Sequence, residues 1–192
     1  MDRNAVSLLI LLLSVGFLAY CASTSDETPE TVEPVETKGV PPPPQVVATA
    51  LADLFPTEGS ETNGSITFEQ TNGRVKIVLE VRALTPGKHG IHIHEGDCSQ
   101  ADASSAGAHL NPGGTQHGAP DSLTHHTGDL GNIEADAEGN ASFQMTVDFI
   151  SLLEGPNSVI GKAVVVEAEE DDFDPARSDG DRLVCGVVEM TS

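Results

Sequence analysis

Two histidines one residue apart, His92 and His94, lie in the run from Gly87 to Cys98, Gly-Lys-His-Gly-Ile-His-Ile-His-Glu-Gly-Asp-Cys. On an extended strand alternate side chains share a face. The two imidazoles then stand roughly 6–7 Å apart at their Cα atoms and can converge on one metal ion, while Ile91 and Ile93 point into a core. The chain continues through Gly107-Ala108-His109-Leu110-Asn111-Pro112, Gln116-His117-Gly118 and His126-Thr127-Gly128-Asp129-Leu130-Gly131-Asn132, a stretch rich in Gly, Pro, Ser and Asn. Such a composition marks a long loop, and a long structureless loop in a compact domain needs something to organise it. A metal held by His109, His117, His126 and Asp129 would do so. Three nitrogens and a carboxylate suit tetrahedral zinc, and histidines on a strand suit copper or zinc.

These strings, together with Arg182-Leu183-Val184-Cys185-Gly186-Val187-Val188, resemble the copper-zinc superoxide dismutase family over about residues 46–190. The resemblance implies His92 and His94 as copper ligands, His109 as the bridge between copper and zinc, and His117, His126 and Asp129 as the rest of the zinc site. It implies a disulfide between Cys98 and Cys185, and Arg182 as the guide for anionic superoxide. His109 would deliver a proton to it. Asp171 would hydrogen-bond one histidine of each metal site, fixing ligand orientation.

The chain departs from the family at one ligand. In the segment from Ile160 to Asp172, Ile-Gly-Lys-Ala-Val-Val-Val-Glu-Ala-Glu-Glu-Asp-Asp, the family places a histidine where Glu167 stands, and no histidine follows His126. Carboxylate is a harder donor than imidazole and favours Cu(II) over Cu(I), whereas dismutation needs both states in turn. With Glu167 both pockets become three imidazoles and one carboxylate, so both suit zinc. Three readings follow: a superoxide dismutase with weakened activity, a non-enzymatic zinc- or copper-binding protein on the same barrel, and a copper-handling module. Zn2+ and Cu2+ are the implied cofactors, with copper retention open.

The remaining chain reads as an export tail and one domain. Residues 5–20 are apolar and end at Cys21, and Leu18-Ala19-Tyr20-Cys21 resembles a bacterial lipoprotein signal, with Tyr20 departing from the usual small residue. Residues 1–21 are therefore a candidate signal with Cys21 as the lipidation site; plain secretion and an uncleaved anchor stay open. Residues 22–45, rich in Thr, Glu and Pro, read as a disordered spacer of roughly 25–30 Å. A periplasmic or extracellular location, tethered by lipid, suits a pair of cysteines left to bond.

Residues 46–192 are enough for one core. Low aromatic content with abundant Val, Ile, Ala, Thr and Gly points to strands. Strands are predicted at 45–54, 64–69, 74–81, around His92 and His94, at 132–137, 141–147, 159–166 and 183–189, with Thr71-Asn72-Gly73 as a hairpin turn. The expected fold is all-β, an eight-stranded Greek-key barrel or sandwich with two long functional loops. His89 is expected to be a structural hydrogen-bonding residue and His125 an exposed loop residue. A formal charge of −21 excludes nucleic acid as a partner, since no basic stripe exists to displace phosphate counterions. It also opposes an anionic substrate: residues 169–181 hold seven carboxylates against one Arg177. The sequence leaves the oligomeric state open.

Overall fold

A computed structural model describes residues 48–176 and 180–191. The signal, Cys21, the spacer and Arg177 lie outside the described residues. The strands are β1 (Ala48–Pro56), β2 (Asn63–Thr71), β3 (Arg74–Arg82), β4 (Gly87–His94), β5 (Asp129–Ala135), β6 (Ala141–Val147), β7 (Ala163–Glu167), β8 (Arg182–Val187) and the short β9 (Glu189–Met190). Every strand pairing is antiparallel. The spatial order β5-β4-β7-β8-β1-β2-β3-β6 places the sequence neighbours β5 and β6 at its two ends, where they approach each other and nearly close an eight-stranded Greek-key barrel. β9 adds to β1 off this path.

Alternation builds the first half of the barrel. In β3, Val75, Ile77, Leu79 and Val81 are buried and the residues between them face outward, as a strand with one wet side requires. Asn72 and Gly73, at φ of 52° and 76°, form the two-residue turn between β2 and β3. Both central residues of this tight hairpin need positive φ, which Asn-Gly tolerates best.

The second half departs from alternation, and that departure makes the site. From His89 onward every residue of β4 is buried, as is every residue of β7. The inner face packs Ile91, Ile93, Val164 and Val166 in the barrel core. The outer face is roofed by the loop between β4 and β5. There Ala103, Ala106, Ala163, Val165 and Cys185 form a second small apolar cluster with Cys98 against it. The Cys98–Cys185 disulfide, with Cα atoms 5.7 Å apart, pins this roof to β8. A three-way set of backbone bonds holds the rest of it: Leu110 N–H to Ile93 O, Ile93 N–H to Gly128 O and Gly128 N–H to Leu110 O, each 2.8 Å. At Gly128 a Cβ would run into the Ile93 carbonyl, so only glycine permits this close approach.

Two predicted strands begin elsewhere. β5 starts at Asp129, three residues before the expected 132, and pairs Asp129 with His92 across a bulge. β7 starts at Ala163, because residues 159–162 turn instead.

Candidate metal centre

The roof lays His109 beside His94 as an isolated bridge, and with β4, β5 and the end of β7 it gathers the candidate ligands. Donor atoms of His92, His94, His109 and Glu167 lie within 4.8 Å of one another, and so do donors of His92, His109, His117 and Asp129. His126, expected in this set, stands beside it, with His92 in its place: its Nδ1 is 3.3 Å from His109 Nδ1 and 3.2 Å from Asp129 Oδ1. His117 Nδ1 is 3.0 Å from Asp129 Oδ2, and His109 Nδ1 is 2.8 Å from Asp129 Oδ1. Four donors around tetrahedral zinc at about 2.0–2.1 Å stand about 3.3 Å apart. The measured separations of this set lie close to that edge.

Each ring is oriented by what its other nitrogen touches. His94 Nδ1–H donates to Gly107 O at 3.0 Å, which aims Nε2 inward. Asp171 takes both of its neighbours, Oδ2 from His92 Nε2 at 3.0 Å and Oδ1 from His117 Nε2 at 2.9 Å, which aims both Nδ1 atoms inward. These three inward nitrogens and Glu167 Oε1 are buried without a hydrogen-bond partner among the described residues. Buried polar atoms rarely stay so. A cation is the partner that suits them, and the donor chemistry fits zinc and copper.

Electrostatics prepares the same outcome. Burial pushes His94 down from 6.5 to about 3, with the charges of His109 and Arg182 adding to it, so the ring is neutral and its lone pair is free for a metal. Burial would raise Asp171, but its bonds to His92 and His117 hold it near 2. Asp129 likewise sits well below the usual carboxylate range: bonds to His109 and the His126 amide outweigh its burial. His92 goes the other way, raised because its contacts with Asp171 and Glu167 outweigh burial. Its Nδ1 lies 3.4 Å from Glu167 Oε1, a separation that also matches a ligand edge.

Glu167 therefore points inward. It closes β7 one bulge past Val166 and is only 4% exposed. Its Oε2 accepts the Gly180 N–H at 3.1 Å, leaving Oε1 for the cluster. Arg182 opposes it on β8, with Nη1 on Ala103 O at 2.7 Å and Nη2 on Gly107 O at 2.8 Å. His89 is structural as expected, its nitrogens 2.8 Å from Glu167 O and 2.8 Å from Thr85 O. His125 is half-buried rather than exposed, its ring 4.6 Å from that of Phe149. The sequence reading missed Asn132. Its amide clamps Asp171 through both backbone groups, Nδ2 to O and Oδ1 from N, at 2.8 Å each. Its place at the end of the His126-to-Asn132 string was the available signal.

In this barrel His92 and His109 each offer a donor to both clusters, an arrangement suited to a metal-binding β-barrel protein. The profile of the family described as copper/zinc superoxide dismutase (SODC) matches residues 62–188. An extracellular superoxide dismutase [Cu-Zn] of Brugia pahangi is 38% identical over 156 residues, which is 76% of this chain and 77% of that protein. One of Caenorhabditis elegans is 38% identical over 154 residues, 74% and 69% of the two chains. The chain belongs to the copper/zinc superoxide dismutase family, whose members are oxidoreductases using copper and zinc.

Proposed function

We propose that the chain dismutes superoxide to oxygen and hydrogen peroxide outside the cytoplasm, with activity lowered by Glu167. The observation that carries this reading is the inward carboxylate beside His92 Nδ1 within an otherwise complete family site. His109, His117, His126 and Asp129 would hold zinc; His92, His94, His109 and Glu167 would hold copper. Copper, when bound, supplies one-electron exchange with superoxide. The chain's own residues would do the rest: Arg182, fixed by two carbonyls, would offer positive charge beside His94, and His109 Nε2 would hold one of the two protons that leave with peroxide, water supplying the other. Glu167 adds negative charge where an anion must arrive and favours the divalent state over Cu(I).

The second reading, a zinc- or copper-binding protein without turnover, is favoured by the same carboxylate, since it makes the two donor sets alike. Glu167→His separates them. The variant should retain more copper and dismute superoxide at least an order of magnitude faster at equal copper loading. If wild type is already as fast, Glu167 is no handicap. If neither turns over while both bind two zinc ions, the second reading holds.

For location, the apolar residues 5–20 and the extracellular relatives support export. Lipid on Cys21, and with it a bacterial lipoprotein, rests on Leu18-Ala19-Tyr20-Cys21 alone, and the relatives' names favour secretion. The mass of the mature N-terminus decides between them.

A further inference from the structure

A cleft of about 340 Å³ opens over the site between the β4–β5 loop and the segment that follows β7. Its lining holds six carboxylates, from Glu167, Glu169, Glu170, Asp171, Asp172 and Asp174, and, among the described residues, no Lys or Arg. Lys88 reaches in only as far as Glu170, at 2.7 Å, where both are exposed. The floor of the same cleft carries two side chains more than nine-tenths buried, His92 and Glu167, whose inward Nδ1 and Oε1 face each other at 3.4 Å and make no hydrogen bond among the described residues. An acidic mouth above an anionic floor has the wrong sign for superoxide. It has the right sign for a cation: low-dielectric walls lined by one charge focus the field and raise the local concentration of the opposite charge. At about 30 Å³ per water, the cleft has room for a divalent ion with its first hydration layer.

We propose that this cleft is the capture and access path for hydrated divalent cations, from which the His92, His94, His109 and Glu167 pocket takes its ion. The ion sheds water stepwise as rim carboxylates replace it electrostatically, and Glu167 Oε1 is the first inner donor it meets. The chain would thus gather divalent metal rapidly while holding anions back. This rests on the reading of Glu167 as a ligand, and the test separates the two.

The test uses the full mature chain carrying one zinc per chain, mixed rapidly with Co2+, with uptake of the second ion followed by the cobalt d–d absorption. Wild-type uptake should slow at least tenfold between 10 and 300 mM ionic strength, concentrations on either side of the ~10 Å screening regime near 0.1 M. The rim variant Glu170→Gln, Asp172→Asn, Asp174→Asn keeps an acceptor oxygen at each position. It should take up Co2+ at least tenfold more slowly than wild type at low salt and lose most of the salt dependence. A charge-matched variant away from the cleft, Glu61→Gln, Glu138→Gln, Glu154→Gln, should keep the wild-type rate. Equal slowing in both variants, or none in the rim variant, overturns the proposal. Glu167→Ala addresses the underlying reading separately. If it binds the second Co2+ with wild-type affinity, Glu167 is not a ligand, whatever the rim does to the rate.

Discussion

Protein stripped of metal should lose stability steadily as pH falls from about 6.5, and His94 is the main cause. In the unfolded chain this imidazole takes up a proton near its ordinary 6.5; in the fold, burial holds it neutral down to about 3. Its folded value is depressed, so its contribution is complete above 6.5 and is lost as pH falls towards 3. At 1.36 kcal/mol per unit the whole window is worth about 5 kcal/mol, a large part of a typical domain's stability. His126, also lowered by burial, acts in the same direction. His92 does not compensate: a raised value gives stability that is already complete below 6.5 and fades only at higher pH. Asp129 and Asp171, both depressed, lose their contributions only below about 3.8. The interval between pH 6.5 and 4.5 therefore isolates the histidines. Urea unfolding of chelator-treated protein across those two units should show wild type losing about 2.3 kcal/mol more than His94→Gln, the slope rising from half a proton at pH 6.5 to nearly one below pH 5.5. The variant starts lower, so the slope is the quantity to compare. Parallel slopes would refute the argument, since they would mean that His94 titrates in the fold as it does in the open chain.

Asp171→Asn breaks the one carboxylate that orients both His92 and His117, so affinity should fall about 10–100-fold for zinc and copper together, read by chelator competition. Loss at only one metal would show that the two rings are held independently. Reducing the Cys98–Cys185 bond, which closes a separation of 87 residues, should cost at most about 4.6 kcal/mol by chain entropy, read as a lower Tm. An unchanged Tm on reduction would mean that the Ala103 and Ala106 cluster holds the roof unaided.

The residues that gather at the candidate site were more legible in the sequence than the backbone that aims them. His92 and His94 were legible because a strand fixes their relation within three residues, and Asn72-Gly73 because only certain residues accept positive φ. The β5 start at Asp129, the bulge at His92 and the bulge at Glu167 were not legible. A bulge is one extra residue whose placement depends on hydrogen bonds to distant strands, and local pattern holds no record of it. The same limit hid Asn132, whose clamp on Asp171 spans 39 positions in sequence. It also hid the burial of both faces of β4: alternation predicts one wet face, but the roof that dries it is chain from elsewhere, held by the Ile93, Leu110 and Gly128 backbone.

That division of labour explains how Glu167 can stand among the candidate ligands without disturbing the fold. The barrel core takes Val164 and Val166 from the inner face of β7. Past the bulge, the Glu167 carboxylate stands beside His92 and lines the cleft, and the Gly180 amide satisfies one of its oxygens. A buried carboxylate with half of its hydrogen-bonding capacity supplied by backbone is costly without a cation and well placed with one. Metal occupancy at this pocket should consequently be linked to the seating of Gly180 beside it, so chelation should raise amide exchange at Gly180 and Asp181 while leaving β2 and β3 protected. Uniform exchange across the barrel on chelation would place the metal's influence in the whole fold rather than in this corner.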